Sequence, residues 1–218
     1  LRRACVPFVD VVLEPYHTMM PQRWVRPMAR TMEKLALKAA QMVVVFTPQM
    51  RSYVRQMGAR EERIVVLKTG VNLDQFHPGV DGAAQRASLG IDGDGWLLFF
   101  MGWLYDFSGL RQIVASLAQD TSLLDGARLM IVGDGDLYPE LKELVEQNNL
   151  APCVILAGHR PYADIPGLLA AADVCLLPSL ENDTTRDIVP MKVYEYLAAG
   201  KPVVASRLPG LLAEFGQD

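Results

Sequence analysis

Short apolar runs alternate with segments of helical periodicity along most of the chain. Apolar runs bounded by Gly, Pro, Asn and Asp predict buried strands, at residues 5–13, 42–46, 64–68, 96–102, 127–133, 153–158, 173–178 and 202–206. Apolar residues recurring three or four positions apart predict helices, at residues 21–40, 48–57, 83–89, 108–118, 136–147, 163–171 and 190–199. This alternation predicts the α/β class, with doubly wound, Rossmann-like parallel sheets covered on both faces.

A loop-like stretch divides the pattern into two series. Gly, Asn, Asp and Pro cluster between Lys68 and Gly82, as is typical of a linker. The chain begins without Met, and its pattern indicates that a further helix starts just before Gln217. We therefore expect a fragment of a longer protein.

The composition is that of a globular protein, and the charge is unevenly distributed along the chain. Half of the residues are apolar, and the net charge of −4 gives no reason to expect nucleic acid as a partner. Residues 1–71 hold 12 Lys and Arg against 5 Asp and Glu, whereas the remainder is acidic. This asymmetry indicates two bodies with different surroundings.

Cysteine usage and hydropathy bear on localisation. Cys5, Cys153 and Cys175 form no metal-type pair and fit a reducing compartment. The longest near-apolar run, residues 96–105, is about half of the ~20 residues that a membrane span needs. We expect a cytoplasmic protein that does not cross the membrane, although its basic front half could rest on the inner face.

The predicted first helix is amphipathic. Its basic residues lie three or four apart, opposite an apolar set; the two sets are Arg23, Arg26, Arg30, Lys34 and Lys38, and Trp24, Met28, Met32, Leu35 and Leu37. Two interpretations are open for the basic helix 23–38. It is a solvated face, or it contacts anionic lipid headgroups.

Glycines follow three of the predicted strands, at Gly102, Gly133, Gly135 and Gly158. In open parallel sheets a ligand lies beyond the carboxyl ends of the strands, where glycine lets backbone approach a phosphate. The alternative is that these are turn glycines. No G-x-G-x-x-G follows the first strand of the second series, so a nicotinamide-type fingerprint is missing.

The stretch from Asp187 to Ser206 contains the sharpest motif. Pro190 suits the first turn of a helix, and Lys192 and Glu195 share one face of that helix. A helix carboxylate can accept hydrogen bonds from the two neighbouring hydroxyls of a ribose. The alternative is a solvated helix face with a weak surface ion pair.

This stretch, DIVPMKVYEYLAAGKPVVAS, resembles the signature of retaining family 4 glycosyltransferases. That signature has two acidic residues separated by seven others, then a helix end of small residues and a strand. Asp187 takes the first acidic position, where the family usually has glutamate, and Glu195 takes the second. RIVVLKTGVNLDQFHPG, MIVGDGDLYPELKELVEQNNL and VILAGHRPYADIPGLLAAADVCLLPS also resemble the family, so the likeness covers nearly the whole chain.

The resemblance implies a GT-B fold, in which one Rossmann-like domain binds the acceptor and a second binds a nucleotide sugar. Residues 1–70 would end the acceptor domain, residues 71–94 would form the linker, and residues 95–218 would form a truncated donor domain. The implied activity is retaining transfer of a sugar from a UDP- or GDP-sugar to a saccharide or lipid-linked acceptor, in surface polysaccharide or glycoconjugate synthesis. No cofactor or metal is implied, because cations and helix N-termini stabilise the leaving diphosphate.

The resemblance also implies residue roles. Glu195 would hold the ribose, and Asp187 with the backbone N–H groups of Ile188 and Val189, before Pro190, would face the donor sugar and phosphates. The loop from Gly158 to Arg160 would lie by the base. His17 is either near the reacting sugar or an ordinary loop histidine. The expected donor-binding set is Gly102, Trp103, Ser108, Gly133, Asp134, Gly135, Gly158, Arg160, Ile188, Val189, Pro190, Lys192 and Glu195; the catalytic candidates are Asp187 and His17.

One loop departs from the family pattern. The family's first donor-domain loop has Gly-Arg and then Lys-Gly, whereas this chain has Gly102-Trp103 and Ser108-Gly109. Tryptophan cannot replace the bidentate phosphate contact of arginine. Three explanations are open: Lys192, Arg160 or Arg186 supplies the cation, Trp103 stacks on a donor bound differently, or the domain is catalytically weak.

Two other functions remain open at this point. The chain is alternatively a non-catalytic nucleotide-sugar-binding homologue or scaffold subunit. A sugar-nucleotide epimerase would need an acidic and histidine set, and the histidines, His17, His77 and His159, form no such pattern in the sequence.

Overall fold

A computed structural model of the chain describes residues 7–20, 22–68, 70–91 and 95–216. Within these residues the strands are β1 (Val9–Val12), β2 (Met42–Val45), β3 (Ile64–Val66), β4 (Leu97–Met101), β5 (Arg128–Val132), β6 (Val154–Gly158), β7 (Val174–Leu177) and β8 (Val203–Ala205). The α-helices are α1 (Arg26–Ala39), α2 (Pro48–Gln56), α3 (Ala83–Ser88), α4 (Leu110–Gln119), α5 (Tyr138–Gln147), α6 (Ile165–Ala170), α7 (Met191–Ala198) and α8 (Pro209–Phe215). Short 3₁₀ turns lie at Tyr16–Met19, Arg23–Val25, Glu61–Arg63, Asp106–Ser108, Thr121–Leu124 and Tyr162–Asp164.

Each predicted strand and helix is present, and the α/β class is confirmed. Most strands are a residue or two shorter than the apolar runs that predicted them, because the run continues into the adjoining loop. The first residues of the predicted strand 5–13, and Pro21 at the start of the predicted first helix, lie outside the described residues. That helix begins at Arg26, after a 3₁₀ turn.

The chain divides into two compact units. The first contains residues 1–69, 181–189 and 207–218, and the second contains residues 70–180 and 190–206. In the first unit, β1, β2 and β3 form a parallel sheet in that order. Val43, Val45 and Val54 are completely buried in its core. Helix α2 starts at this sheet because Thr47 accepts a hydrogen bond from the Met50 N–H, which caps the helix.

The second unit contains a five-stranded parallel sheet in the order β6-β5-β4-β7-β8. Residues of β4 alternate between two cores: Phe99 and Met101 pack on one face, and Phe100 packs on the other. The chain therefore covers both faces of this sheet, as the alternation of strands and helices predicted. Sequence order reverses between β4 and β7, and this is the switch point at which open α/β sheets bind ligands.

The apolar set of helix α1 is mostly exposed. The spacing of its apolar residues is helical, but Leu37 is the member of that set that is buried in the core. Trp24, at 81% exposure, lies outside with Met28, Met32 and Leu35. Met28 and Met32 line an apolar groove of about 710 Å³ beside β1. Most of the apolar residues of this helix therefore lie at the surface of the first unit and not in its core.

No helix among the described residues is both long and apolar enough to span a bilayer.

Candidate functional site

A cavity of about 360 Å³ lies at the carboxyl edge of the second sheet. This volume is within the range of small-molecule sites, ~300–1,000 Å³. Its walls come from the loops after β4, β5 and β6 and from α7; they are Met101, Gly102, Trp103, Val132, Gly133, Asp134, His159, Arg160, Tyr162, Ile165, Lys192 and Glu195. The sheet topology and the cavity thus indicate the same ligand position.

Helix α7 is fixed to the end of β4 by a buried tyrosine. Val193 and Tyr196, three positions apart, are buried, and the Tyr196 hydroxyl accepts a hydrogen bond of 3.0 Å from the Met101 N–H. Lys192 and Glu195 have the same three-residue spacing and line the cavity. The sequence prediction that they share one helix face is therefore matched by their positions in the structure.

The Lys192 ammonium reaches the backbone at the end of β4. Its Nζ lies 4.3 Å from the centre of the Phe100 ring, and a Cβ at Gly102 would overlap it. Among the described residues it forms no hydrogen bond or ion pair. Burial lowers its pKa to about 8, an effect that the charge of Glu195 partly opposes. Lys192 therefore brings a desolvated positive charge to the cavity.

Glu195 lies one helical turn further along the cavity wall. The Tyr162 hydroxyl donates a hydrogen bond of 2.8 Å to its Oε1. Burial raises the pKa of Glu195, and the bond from Tyr162 and the charge of Lys192 oppose this rise. Oε2 is not used by Tyr162, so the carboxylate retains acceptor capacity toward a ligand.

The glycines after β4 and β5 hold two loops together. Gly102 and Gly133 have φ values of +130° and +139°, and a Cβ at Gly133 would overlap the Gly102 carbonyl oxygen. A Cβ at Gly135 would lie 2.6 Å from the Leu104 nitrogen. Loop packing thus requires these glycines, and Gly102 and Gly133 also line the cavity. Gly135 does not line the cavity, and its lack of a Cβ allows the close approach to Leu104.

The structure brings only part of the expected donor-binding set to this cavity. Ser108 is 4% exposed and lies outside the lining because it is buried beneath the start of α4. Gly158 and Pro190 are also outside the lining. Trp103 lines the cavity with half of its surface exposed. Ile188 and Val189 belong to the first unit.

A second cavity, of about 260 Å³, lies within the first unit. Both catalytic candidates, His17 and Asp187, line it, together with Ile188 but without Val189. The Thr184 hydroxyl donates a hydrogen bond of 3.0 Å to the Thr18 hydroxyl, which joins residues 181–189 to the turn that carries His17. The family resemblance offered both residues as candidates near the sugar, whereas their spacing along the chain alone does not predict a shared cavity.

Sequence reasoning missed Tyr162, which contacts both Glu195 and Phe76. Its ring centre lies 5.8 Å from that of Phe76, in the segment that was interpreted as a linker. A tyrosine four positions after Gly158 carries no signal of its own in a single sequence. The aromatic residue at Phe76 was noted only as part of a motif.

The described residues contain no group of three or more His, Cys, Asp and Glu side chains that could hold a metal ion. The cationic side chains that line the cavity in the second unit are Lys192 and Arg160, and the acidic ones are Asp134 and Glu195.

Comparisons with known proteins agree with this architecture. The family model described as glycosyl transferases group 1 matches residues 96–218, and a glycosyl transferase 4-like domain matches residues 1–70. D-inositol 3-phosphate glycosyltransferase of Segniliparus rotundus is 31% identical over 157 residues, which cover 70% of this chain and 34% of that protein. 2-Deoxystreptamine glucosyltransferase of Streptomyces kanamyceticus is 26% identical over 213 residues, covering 94% and 52%. The chain thus spans about a third to a half of these relatives.

Solved structures share the fold. Anabaena HepE in complex with UDP and glucose aligns with a TM-score of 0.75 and 23% identity, covering 97% of this chain and 56% of that one. WaaG, a glycosyltransferase involved in lipopolysaccharide biosynthesis, aligns with a TM-score of 0.71 and 20% identity, covering 94% and 58%. The two parallel α/β units therefore define a protein of the GT-B class. The chain belongs to the family of group 1 glycosyl transferases, whose model matches more than half of it.

Proposed function

We propose that the protein is a retaining glycosyltransferase that moves a sugar from a UDP- or GDP-sugar to a hydroxyl group. The observation that carries this proposal is the pairing of Lys192 and Glu195 in one cavity at the switch point of the second sheet. A nucleoside diphosphate offers an anion and a ribose, and these two side chains match them.

Lys192 is the proposed partner of the diphosphate. Burial works against the charged form of Lys192, and the nearby charge of Glu195 offsets this only in part, so an anion that binds in the cavity would stabilise the ammonium. Of the cations considered as replacements, Arg160 lines the same cavity but is exposed. Arg186 lies in the first unit and is 4.0 Å from Glu181. Because Lys192 is desolvated, it is the strongest of the three candidates for the cation that binds the diphosphate.

Glu195 is the proposed ribose ligand. Its carboxylate is half-buried and faces the cavity, where the two ribose hydroxyls would donate to it. Tyr162 already donates to one oxygen and orients the carboxylate. Trp103, exposed at the cavity rim, is proposed to stack on the donor.

The proposed reaction is front-face displacement. The acceptor oxygen forms a bond to the anomeric carbon while the bond from that carbon to the diphosphate oxygen breaks, and the leaving diphosphate takes the acceptor's proton. Lys192 would stabilise the charge that develops on the diphosphate. No metal or cofactor takes part in this proposal. Asp187 and His17 are proposed to contact the transferred sugar, since both line the cavity in the first unit.

The proposed acceptor is a saccharide or a lipid-linked saccharide, in surface polysaccharide or glycoconjugate synthesis at the inner face of a membrane. Among curated relatives, a galactosyltransferase of Escherichia coli that is named for a diphosphoundecaprenol substrate is 28% identical over 166 residues. Arg23, Arg30 and Lys34 are exposed beside Trp24 on the first helical segment. Basic and aromatic side chains together suit contact with anionic headgroups.

A non-catalytic nucleotide-sugar-binding homologue is the second candidate, because the phosphate-binding cations of the family loop are replaced by Trp103 and Ser108. Turnover of a panel of UDP- and GDP-sugars by the complete two-domain protein separates the two. Transfer or hydrolysis that disappears in Glu195→Ala, but persists in the surface variant Glu146→Ala, supports the enzyme. Nucleotide binding without turnover across the panel supports the homologue.

A further inference from the structure

In the first unit, a partly buried hydrogen-bond cluster forms around the Nδ1 atom of His17. The His17 Nδ1 lies 2.9 Å from Glu33 Oε2 and 3.2 Å from the Tyr53 hydroxyl. The Glu33 side chain is 8% exposed and that of His17 is 17% exposed. These contacts join the turn that carries His17 to α1, through Glu33, and to α2, through Tyr53.

The contacts decide which ring nitrogen carries the proton. Tyr53 donates its hydroxyl proton to Glu33 Oε1 at 2.6 Å, so the lone pairs of its oxygen are what it offers to His17. The Glu33 carboxylate can only accept. Both neighbours of the His17 Nδ1 are therefore acceptors, and Nδ1 must donate.

Glu33 also fixes the backbone that carries His17. The N–H groups of Tyr16 and His17 donate to the two Glu33 oxygens, at 3.3 Å each. One carboxylate thus holds the ring and the turn together. Burial and the bond to Glu33 raise the pKa of Tyr53, so its hydroxyl keeps the proton that this arrangement requires.

Among the residues that the structure describes, the other ring nitrogen, Nε2, has no hydrogen-bond partner and can take a ligand. His17 lines the cavity of about 260 Å³, where Arg30, Gln49, Thr184 and Asp187 provide further polar groups. Such a mixture of donors and acceptors suits the hydroxyl groups of a saccharide. A neutral imidazole with its proton on Nδ1 presents a lone pair on Nε2.

We propose that Glu33 and Tyr53 are positioning residues that hold the proton of His17 on Nδ1, so that Nε2 accepts a hydrogen bond from a saccharide hydroxyl in this cavity. The saccharide ligand rests on the proposed glycosyl transfer, whereas the tautomer does not. Glu33 and Tyr53 act through His17 and need no contact with the ligand.

The tautomer is tested by ¹⁵N NMR of the histidine-labelled chain at pH 8, which requires neither substrate nor turnover. The chain has three histidines, so His17→Ala assigns the His17 signals. We expect a protonated Nδ1 and an unprotonated Nε2. A His17 protonated on Nε2, whether alone or with Nδ1, would overturn the proposal. His77 is an internal control of the opposite kind, because its Nδ1 accepts from the Gly79 N–H at 3.1 Å.

Two variants test the positioning residues. Glu33→Gln removes the charged acceptor, so we expect His17 to move toward the Nε2–H tautomer. Tyr53→Phe keeps Glu33 and should retain Nδ1–H. An unchanged tautomer in Glu33→Gln would show that Glu33 does not set it. If Glu33→Gln does not fold, the spectra of the wild type and of Tyr53→Phe decide.

A double-mutant cycle in the complete protein tests the link to function. Glu33→Gln and His17→Ala should each lower turnover, and the double variant should be no slower than His17→Ala, because Glu33 acts through His17. Additive losses would contradict this. UDP affinity should be unchanged in all three variants. A variant that loses UDP binding would show that its substitution disturbs the nucleotide site, and its loss of turnover would then not report on His17.

Discussion

The Lys192 ammonium occupies the space that a side chain at position 102 would fill, and Gly102 leaves this space open. The glycine directly follows β4, and the lysine lies in the first turn of α7. The bond between the Tyr196 hydroxyl and the Met101 N–H holds the two elements at this spacing. The positive charge proposed to meet the diphosphate is thus positioned by the switch point of the sheet itself.

The Gly102→Ala variant should lose nucleotide affinity because the new methyl group displaces Lys192. We expect the Kd for UDP to rise by about tenfold or more, equal to ~1.4 kcal/mol. Gly126→Ala is the matched control, since Gly126 also has a positive φ, +80°, but has open space around its Cβ position. In the control, backbone strain should lower the stability of the protein, but titration calorimetry should give the UDP affinity of the wild type. Equal losses of affinity in the two variants would refute the steric account.

Lys192→Met should make the empty protein more stable while it weakens UDP binding. Burial of the ammonium is offset only in part by the charge of Glu195, so its removal should raise the free energy of unfolding at pH 7 by roughly 1–3 kcal/mol. Lys201→Met should have the opposite effect on stability, because the Lys201 Nζ donates to the Ala170 and Ala172 carbonyl oxygens at 2.8 and 2.7 Å. Urea denaturation measures both. A destabilised Lys192→Met protein would show that the ammonium is satisfied within the fold.

UDP affinity should depend on pH through Lys192. The folded pKa, about 8, lies below the ordinary value of 10.5, so the ammonium is lost as pH rises through 8. The affinity for UDP should fall above pH 8. The stability of the empty protein has the opposite sign: between pH 8 and 10.5 the unfolded chain binds the proton that the folded chain has released, so stability rises with pH. Both trends should vanish in Lys192→Met, and a wild type that keeps its UDP affinity at pH 9.5 would contradict the assignment.

The basic surface of the first helical segment should bind anionic vesicles. Sedimentation with vesicles of mixed neutral and anionic lipid should show weaker binding for the triple variant Arg23→Ala, Arg30→Ala, Lys34→Ala. The triple variant Arg51→Ala, Arg55→Ala, Arg60→Ala removes the same charge from another exposed surface of the first unit and should bind like the wild type. Equal binding by both triple variants would end the idea of a specific lipid-facing helix.

Periodicity predicted the sheets well because the buried strands read as continuous apolar runs. It did not decide what the apolar residues of α1 contact: Met28 and Met32 are exposed and line a groove. Spacing along one helix sufficed to place Lys192 beside Glu195. It could not find the contact of Tyr162 with Glu195, or that of Glu33 with His17, because these pairs are 33 and 16 residues apart and only the folded chain joins them.

Calorimetric titration of UDP and of uridine into the wild type, Lys192→Met and Glu195→Ala tests the nucleotide site most directly. If Lys192 meets the diphosphate and Glu195 the ribose, Lys192→Met should bind UDP about as weakly as the wild type binds uridine, with uridine affinity unchanged. Glu195→Ala should weaken both ligands by the same factor. The account would be contradicted if the wild type bound UDP no more tightly than uridine. It would also be contradicted if the Lys192→Met variant kept the full preference of the wild type for UDP over uridine.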